Sequence, residues 1–395
     1  MAGRRAFAWA AMVAACAVSP VRAQTPDQSG GVRGWLFTPS LGYGLNVDDN
    51  VLVRGRGDDT QTDLLNAVSP RANLDFLSGR TRFSAGYDGT ALLYAQIPGL
   101  NYYDQRIAVS ARRLVTKKVA IFAQDSLALS PTTELIQLVG TPFVRVGSRV
   151  NDARAGLEAA LSNRSTFTGA FTSQWVSFAD RREQPVVPLR GGQSQGGTFS
   201  YRRRISERST VLADYDLQLA SITGDTDRFN VQNGWIGIEQ RLSPFVTYSG
   251  AVGLSRLGVT SLAAPRSGLA WRVSATRQFQ RAALEAGYRR SFVPAYGFGG
   301  TVQNQDVTVR LQWTLARRTS AQGSTSWRRN EPLTPGHPSL WSVWYQGSLD
   351  HLLTPWLRLN AFYTADRQSI DRPGGLVVRN RFGVQLMTGK PMRLR

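Results

Sequence analysis

The chain has 395 residues, and 47 lysines and arginines against 27 aspartates and glutamates give it a formal net charge of +20. A hydrophobic content of 42% with 10% aromatic residues excludes a disordered chain, and the length suits one large domain or two to three ordinary ones. Two histidines and one cysteine leave almost no ligands for a His- or Cys-based metal site, a disulfide framework or a Cys/His nucleophile pair. An enzyme would have to use carboxylates, hydroxyls and arginines.

The first 23 residues have the layout of a bacterial secretory signal. Arg4 and Arg5 precede an apolar run over 6–18, and Val21-Arg22-Ala23 provides a small-residue exit. We therefore expect cleavage after Ala23, followed by a short polar segment over 24–31 and one domain over 32–395. The run Val13-Ala14-Ala15-Cys16 also resembles a lipoprotein box, so lipidation of Cys16 is the alternative to cleavage after Ala23.

Beyond residue 25 no stretch approaches the roughly 20 apolar residues of a helical membrane span, and a period of two dominates the pattern. Between 306 and 315, Val307, Val309 and Leu311 alternate with Asp306, Thr308, Arg310 and their polar successors. Similar alternation follows from 82, 210 and 357. These runs of about ten residues match the ~9–11 residues of a tilted transmembrane strand and exceed the usual length of a soluble strand.

Short turns of similar composition separate the alternating runs at intervals of 36 to 47 residues. They begin at Leu77, Leu114, Leu161, Ile205, Leu242, Phe279, Leu315 and Leu353. Longer polar connections, such as 130–151, 179–197 and 329–339, lie between them. Eight tight turns separate nine hairpins, so the sequence predicts about 18 strands with short turns at one end and long loops at the other, the layout of an outer-membrane barrel.

The fold class predicted is therefore all-β: a single transmembrane antiparallel barrel with short periplasmic turns and longer extracellular loops. A soluble sandwich, solenoid or propeller is the alternative, but a propeller blade packs four short strands into roughly 40–50 residues. Aromatic residues near predicted strand ends, including Trp341, Trp344 and Trp356, favour interfacial girdles. Two features are unusual for such a barrel: Pro70 interrupts a strand, and the chain ends in Arg395 rather than an aromatic residue.

The polar face of each strand predicts the lining of the lumen, where basic residues outnumber acidic ones. The predicted lumenal arginines are Arg71, Arg82, Arg106, Arg112, Arg154, Arg202, Arg204, Arg272, Arg289, Arg310, Arg358, Arg379 and Arg381. The predicted acidic residues are Asp75, Asp88, Glu158, Asp214, Asp216, Glu285, Asp306 and Asp366. Such an excess of positive charge favours the passage of anions. Arginine also binds carboxylates and phosphates bidentately. Pairing of lumenal Arg and Asp across strands, which would brace the wall, is the alternative role.

From these we select a candidate substrate path: Arg82, Arg112, Arg154, Arg202, Arg272, Arg310, Arg358 and Arg379, with Trp344 and Phe362 offering faces to sugar rings. No catalytic residue, metal or cofactor is predicted. His337 lies in a loop and His351 near a tight turn, so they are expected at opposite ends of the barrel. The pairs Asp48-Asp49 and Asp58-Asp59 could bind Ca²⁺ but are more typical of solvated turns. A nucleic-acid role is not expected, because basic helices and an aromatic stacking platform are missing.

The segment Leu41-Gly42-Tyr43-Gly44-Leu45-Asn46-Val47-Asp48-Asp49-Asn50-Val51 resembles outer-membrane β-barrel porins that are found with bacterial exopolysaccharide systems. The hairpin over 83–109, with its tip Tyr102-Tyr103-Asp104, is similar to that family too. The resemblance extends as a pattern over most of the chain, and its one specific motif is the Asp-Asp-Asn segment. It implies passage of a polysaccharide across the outer membrane.

Three functions follow as hypotheses. The first is export of an acidic exopolysaccharide through an outer-membrane barrel, with lipid, lipopolysaccharide, the polymer and periplasmic export components as partners. The second is a general or anion-preferring diffusion porin. The third is a structural barrel whose lumen is plugged by a folded-in loop such as 130–151 or 179–197.

Overall fold

The computed structural model describes residues 33–55, 59–133, 135–179, 189–224, 228–258, 265–333, 336–370 and 375–394. The expected signal peptide and the polar segment over 24–31 lie outside these residues. In the described part the chain forms a closed antiparallel β-barrel of 18 strands, as the alternation and the turn repeat predict. Apart from one 3-10 turn, Pro98–Leu100, the elements of this part are strands. The described residues contain no helix of the length and apolar character that spanning a membrane requires.

The strands are 12 to 16 residues long, enough to cross a hydrocarbon layer at a tilt and extend beyond it. In chain order β1 to β18 are Gly34–Asp48, Asp63–Leu77, Thr81–Tyr94, Tyr102–Leu114, Val119–Ser130, Ser148–Ser162, Ser165–Phe178, Gly192–Arg204, Ser209–Ile222, Arg228–Ser243, Val246–Leu257, Arg266–Gln278, Ala282–Pro294, Thr301–Ala316, Thr319–Pro332, Leu340–Thr354, Leu357–Ile370 and Leu376–Gly389.

The barrel closes where β1 pairs with β18, from Ser40 opposite Gly389 to Asp48 opposite Arg381. After β18 a short strand, β19 (Met392–Leu394), continues along the first residues of β1 and pairs Trp35 with Leu394. The terminal strand therefore completes the closing seam although it lacks a final aromatic residue. Each other strand pairs with its neighbours in sequence.

The two ends of the barrel differ as the sequence predicts. All eight predicted tight turns connect strands at one end, which we call the turn end, and the longer connections lie at the other, the loop end. Ser and Thr side chains close several of the turns by accepting backbone N–H bonds, as Ser78 does from Thr81 at 3.0 Å and Thr116 does from Val119 at 3.0 Å.

The outer wall is apolar, as a lipid-facing surface must be. Val252, Ile236 and Leu254 are 71%, 68% and 62% exposed in the middle of their strands, positions that a soluble β-protein would bury. Outward tyrosines on several strands bond amide side chains of the next strand; Tyr43 bonds Asn66 at 2.7 Å and Tyr363 bonds Asn380 at 3.0 Å. The pattern is that of an apolar belt with amphipathic aromatic residues at its border.

Pro70 is accommodated by a gap in the ladder. Towards β1 it pairs with Leu41, but towards β3 the register runs from Val68–Ala91 to Arg71–Asp88 without pairing Ser69 or Pro70. Proline cannot donate a ladder hydrogen bond, so the interruption falls where none can form. The hydroxyls of Ser69 and Thr90, 3.2 Å apart, bridge the two strands there.

The alternation makes a prediction about neighbouring residues on β14. Val309 has the outward parity of the exposed Leu311, whereas Thr308 points into the lumen. We expect Val309→Arg to lower the free energy of unfolding in lipid vesicles by about 2–4 kcal/mol, because the charge enters hydrocarbon. Thr308→Arg, the matched control, should cost far less. Equal losses for the two variants in urea titrations would show that the assigned faces are wrong.

Candidate functional site: the lumen and its inward-folded loops

The described residues of the β5–β6 loop, 131–133 and 135–147, fold into the barrel. On β17 the buried Gln368 donates to Thr141 O at 3.1 Å and accepts from the Phe143 N–H at 2.6 Å. On β4 Arg106 donates to Leu135 O at 3.1 Å. Gln368 and Arg106 belong to the inward-facing sets of their strands, so the loop lies inside the wall rather than above it.

Arg145 of this loop joins three connections at the loop end. Its guanidinium donates to Val51 O at 3.0 Å in the β1–β2 connection and to Leu100 O at 2.7 Å in the β3–β4 connection. It also donates to the Tyr94 hydroxyl at 3.1 Å and lies 5.2 Å from the centre of that ring. Because Arg145 is 7% exposed, these bonds replace its hydration and hold the three segments together.

The β13–β14 hairpin also enters the lumen. Pairing of β13 with β12 ends at Arg290, and beyond it the hairpin crosses the inner face of the wall. There the Phe292 N–H donates to Ser255 Oγ at 3.1 Å, and the Asn233 side-chain amide donates to Phe292 O at 3.2 Å. Asn233 and Ser255 are fully buried, and the Ser255 hydroxyl donates to the side-chain oxygen Oδ1 of Asn233. Two polar wall residues thus anchor the hairpin.

The tip of this hairpin, residues 295–300, meets the other inward segments. Tyr296 N–H donates to Val139 O at 3.2 Å, and Arg190 of the β7–β8 connection exchanges two backbone bonds with Gly297, of 2.7 and 2.9 Å. A Cβ on Gly140 (φ +70°) would lie 2.5 Å from the Cβ of Ala295, and one on Gly297 (φ +80°) 2.8 Å from the Cα of Thr141. These two positions require glycine both for the left-handed backbone and for the close approach of the loops.

The loop end of the lumen is packed like a protein interior. A cluster over the β6–β11 side includes Val176, Ile222, Val231, Leu257 and the hairpin residue Phe292. Smaller clusters join Val53, Phe143, Trp344 and Val377, and Val51, Leu65 and Tyr94. Burial in the hairpin tip also raises the pKa of Tyr296 to about 12. The inward segments therefore narrow the lumen at this end and are held there by apolar cores.

Several arginines of the candidate path are paired with carboxylates. Arg112 lies 2.9 Å from Glu158 and Arg202 3.7 Å from Glu239. Arg272 is bound by Asp214, and the buried Arg379 by Asp48 at the closing seam. These four match the bracing role that the sequence left open. Arg71–Asp88 and Arg381–Asp366 pair in the same way.

The other four candidate arginines are Arg82, Arg154, Arg310 and Arg358, and among the described residues none has a carboxylate within 4 Å. Arg82, Arg154 and Arg310 are exposed and Arg358 is half-buried. Arg154 lies 5.5 Å from the centre of the Phe122 ring, and Arg82 and Arg112 border a shallow opening at the turn end together with Arg33 and Arg80. The lumen therefore changes along its length: inward segments pack the loop end, and towards the turn end exposed arginines, some of them paired with carboxylates, line the wall.

Trp344 faces the lumen but is not part of an outer girdle. It is 5% exposed, with Phe143 of the β5–β6 loop 5.4 Å from it and the Arg328 guanidinium 5.2 Å above its ring. On the other side of the barrel Trp235 is covered in the same way by Arg272 and Arg289, at 5.2 and 5.3 Å. Both indoles are therefore stacked with guanidinium groups instead of presenting free faces.

Sequence reasoning missed Arg145, Trp235 and Arg328. Trp235 and Arg328 lie on long strands, where extending the alternation through 228–243 and 319–332 would have marked them as inward. Arg145 belongs to a loop without periodicity, and no pattern indicates its contacts.

The remaining sequence candidates have structural partners. Asp49 accepts hydrogen bonds from the Asn380 N–H and amide at 2.6 and 2.5 Å, and Asp48 binds Arg379, so neither carboxylate is free for Ca²⁺. Asp58 lies outside the described residues. Among those that are described, no three His, Cys, Asp or Glu side chains form a metal-binding cluster. His351 bonds Thr319 at 2.9 Å at the turn end, and His337 lies at the loop end.

No protein-family model matches the chain, and no curated protein does. Solved barrels are similar in shape. They include Acinetobacter baumannii OccAB3, with 10% identity, a TM-score of 0.47 and coverage of 91% of this chain and 99% of that one. Pseudomonas aeruginosa OccK2 (OpdF) in complex with glucuronate has 12% identity and a TM-score of 0.47, covering 92% and 100%. P. aeruginosa OccK3 (OpdO) has 11% identity and a TM-score of 0.46, covering 91% and 96%. The barrel fold of this chain is established by its own strand pairing.

The Gln368 anchor makes a prediction about the β5–β6 loop. Gln368→Ala removes three hydrogen bonds, to Thr141, Phe143 and Ser342, each worth about 1 kcal/mol. We expect faster amide exchange and earlier proteolysis across 131–147, with the barrel itself retained. Gln346→Ala is the matched control, because Gln346 is an exposed inward glutamine of β16. Unchanged protection of the loop in Gln368→Ala would show that other contacts hold it.

Proposed function

We propose that this chain is an outer-membrane diffusion barrel that selects small anionic solutes. The observation that carries the proposal is the difference along the lumen: inward segments packed by apolar cores narrow the loop end, and arginines without an ion-pair partner line the wall from its middle to the turn end. This is the second of the three functions that the sequence suggested.

Charge supports anions as the solutes. The paired arginines neutralise their carboxylates and brace the wall, so the net field inside depends on the lumenal charges that have no ion-pair partner. Arg82, Arg310 and Arg358 lie on three different strands of the wall. Like charges lining a confined path raise the local concentration of counter-ions. A guanidinium also offers a planar pair of donors to a carboxylate or phosphate.

The narrowed loop end of the lumen supports small solutes rather than polymers. Export of a polysaccharide, the first function considered, needs a wide lumen along its whole length and accessible faces for sugar rings. Of the two aromatic residues chosen for that task, Trp344 is buried under Phe143 and Arg328, and Phe362 is half-buried. The loop end is also narrowed from several sides. Export of a polymer is therefore treated only as an alternative outcome of the experiment below.

The apolar outer wall of the barrel supports a location in the outer membrane. An apolar exterior with a closed ladder suits a bilayer, and closed barrels with short turns and long loops are the architecture of the outer membrane, with the turns in the periplasm. The secretory signal expected from the sequence would direct the chain there, and lipid and lipopolysaccharide would then contact the outer wall.

We expect the reconstituted barrel to be anion-selective at low salt. In planar bilayers under a KCl gradient, the selectivity should fade between 0.01 M and 0.1 M salt, as the Debye length falls from about 30 Å to about 10 Å. The triple variant Arg82→Gln, Arg310→Gln, Arg358→Gln should lose most of the preference, because it removes three lumenal charges that form no ion pair with the described residues.

The matched control is Arg113→Gln, Arg203→Gln, Arg277→Gln. These arginines are at the turn end too but have outward parity, so the same loss of charge should leave selectivity unchanged. Cation selectivity of the wild type would refute the proposal. Passage of a long acidic polysaccharide into vesicles would favour export instead.

A second prediction concerns the narrow end. Arg145→Ala removes the bonds that join three connections at the loop end, so we expect a larger single-channel conductance and weaker exclusion of large solutes. The temperature at which the folded-barrel band disappears on gels should change little, because the strand pairing is unaffected. A conductance equal to that of the wild type would show that the β5–β6 loop does not limit passage.

A further inference from the structure

The turn end carries cations in and beside its tight turns, in addition to those on the lumenal face of the strands. The eight tight turns contain Arg80, Lys117, Lys118, Arg164, Arg208, Arg281, Arg317 and Arg318, and one acidic residue, Glu207. Outward arginines at the strand ends beside them add Arg113, Arg203 and Arg277. We call these eleven residues the basic collar.

The collar has no carboxylate partners among the described residues. All eleven side chains are exposed, and none lies within 4 Å of a carboxylate of the described residues. By contrast, the described parts of the loop-end connections contain Arg54, Arg145 and Arg190 against Asp49 and Asp59. A ring of repelling cations is unfavourable by itself, so an external counter-charge would relieve it.

The collar alternates with apolar side chains that face outwards at the same level. Val115, Leu161, Ile205 and Phe279 are 44–59% exposed beside the cationic turns. Arg277 lies 4.7 Å over the Phe279 ring. The two turns without a cation instead present Pro-aromatic pairs, Pro244-Phe245 and Pro355-Trp356, whose rings are more than half exposed.

This combination identifies the partner as lipid. Apolar side chains that enter the acyl region, followed two or three residues later by cations, place the charges at the level of the headgroups. Cations occur at six of the eight turns and are spread over several sides of the barrel, which suits an annulus of lipid, whereas a docked protein would meet one sector. We propose that the basic collar binds the phosphates of anionic phospholipids in the leaflet at the turn end.

The test uses the full mature chain in detergent micelles with phosphatidylglycerol or phosphatidylcholine, and counts retained lipids by native mass spectrometry. The wild type should retain more phosphatidylglycerol. In Arg113→Gln, Arg203→Gln, Arg277→Gln, each lost cation should weaken retention at its site about fivefold, the equivalent of about 1 kcal/mol per cation. The lumenal triple variant Arg82→Gln, Arg310→Gln, Arg358→Gln is the matched control and should keep the preference.

Equal retention of the two lipids by the wild type would overturn the proposal. So would an outward triple variant that keeps the preference, or a lumenal triple variant that loses it equally, which would indicate attraction by net charge alone. Heat-modifiable migration confirms that each variant is folded, and melting with and without phosphatidylglycerol gives a second measure of binding. Pore selectivity is read separately, so either proposal can fail without the other.

Discussion

Closure of the sheet between β1 and β18 is the constraint on which the rest of the molecule depends. In hydrocarbon an unpaired strand edge costs several kcal/mol for each backbone group, so the barrel must join its first strand to its last. The seam is reinforced by side chains as well as by the ladder: Asp48 binds Arg379 in a buried ion pair, and Asp49 binds Asn380. Removing one member of a buried ion pair typically costs 3–5 kcal/mol. The Asp-Asp-Asn segment singled out in the sequence thus helps to join the first strand of the barrel to the last.

Once the barrel is closed, alternation sends each side chain either to lipid or to the lumen. The outer wall needs only apolar residues, but the lumen must satisfy many buried polar groups. It does so in two ways. Near the loop end, Gln368, Asn233 and Arg145 bond backbone groups of the inward segments, and small apolar clusters form around them. Towards the turn end, arginines either pair with carboxylates or stay open to water.

Much of the fold could be predicted because its signals are local. A period of two over ten residues identifies a strand and its two faces, and the recurring turn composition gives the number of strands. Pro70 seemed to contradict its strand, but the missing donor lies on the side where β3 leaves the ladder open. The lumenal positions of Arg272 and Arg310 followed from the same parity.

The site was less predictable because its contacts join residues far apart in sequence. Gln368 bonds Thr141, and Arg145 bonds Val51; no periodicity relates them. The inward course of the hairpin at Phe292 depends on Asn233 and Ser255, two unremarkable residues in the sequence. The sequence assigned Trp344 both to an outer girdle and to the substrate path; the structure places it on the inner face, where the folded loop covers its ring.

The central claim is that a narrow, basic lumen selects small anions. Vesicle permeation tests it most directly by comparing gluconate with glucose, which have similar size and different charge, and with a long acidic polysaccharide. The account predicts that gluconate enters faster than glucose at low salt and that the polymer stays outside. Equal entry of gluconate and glucose, or entry of the polymer, would contradict it.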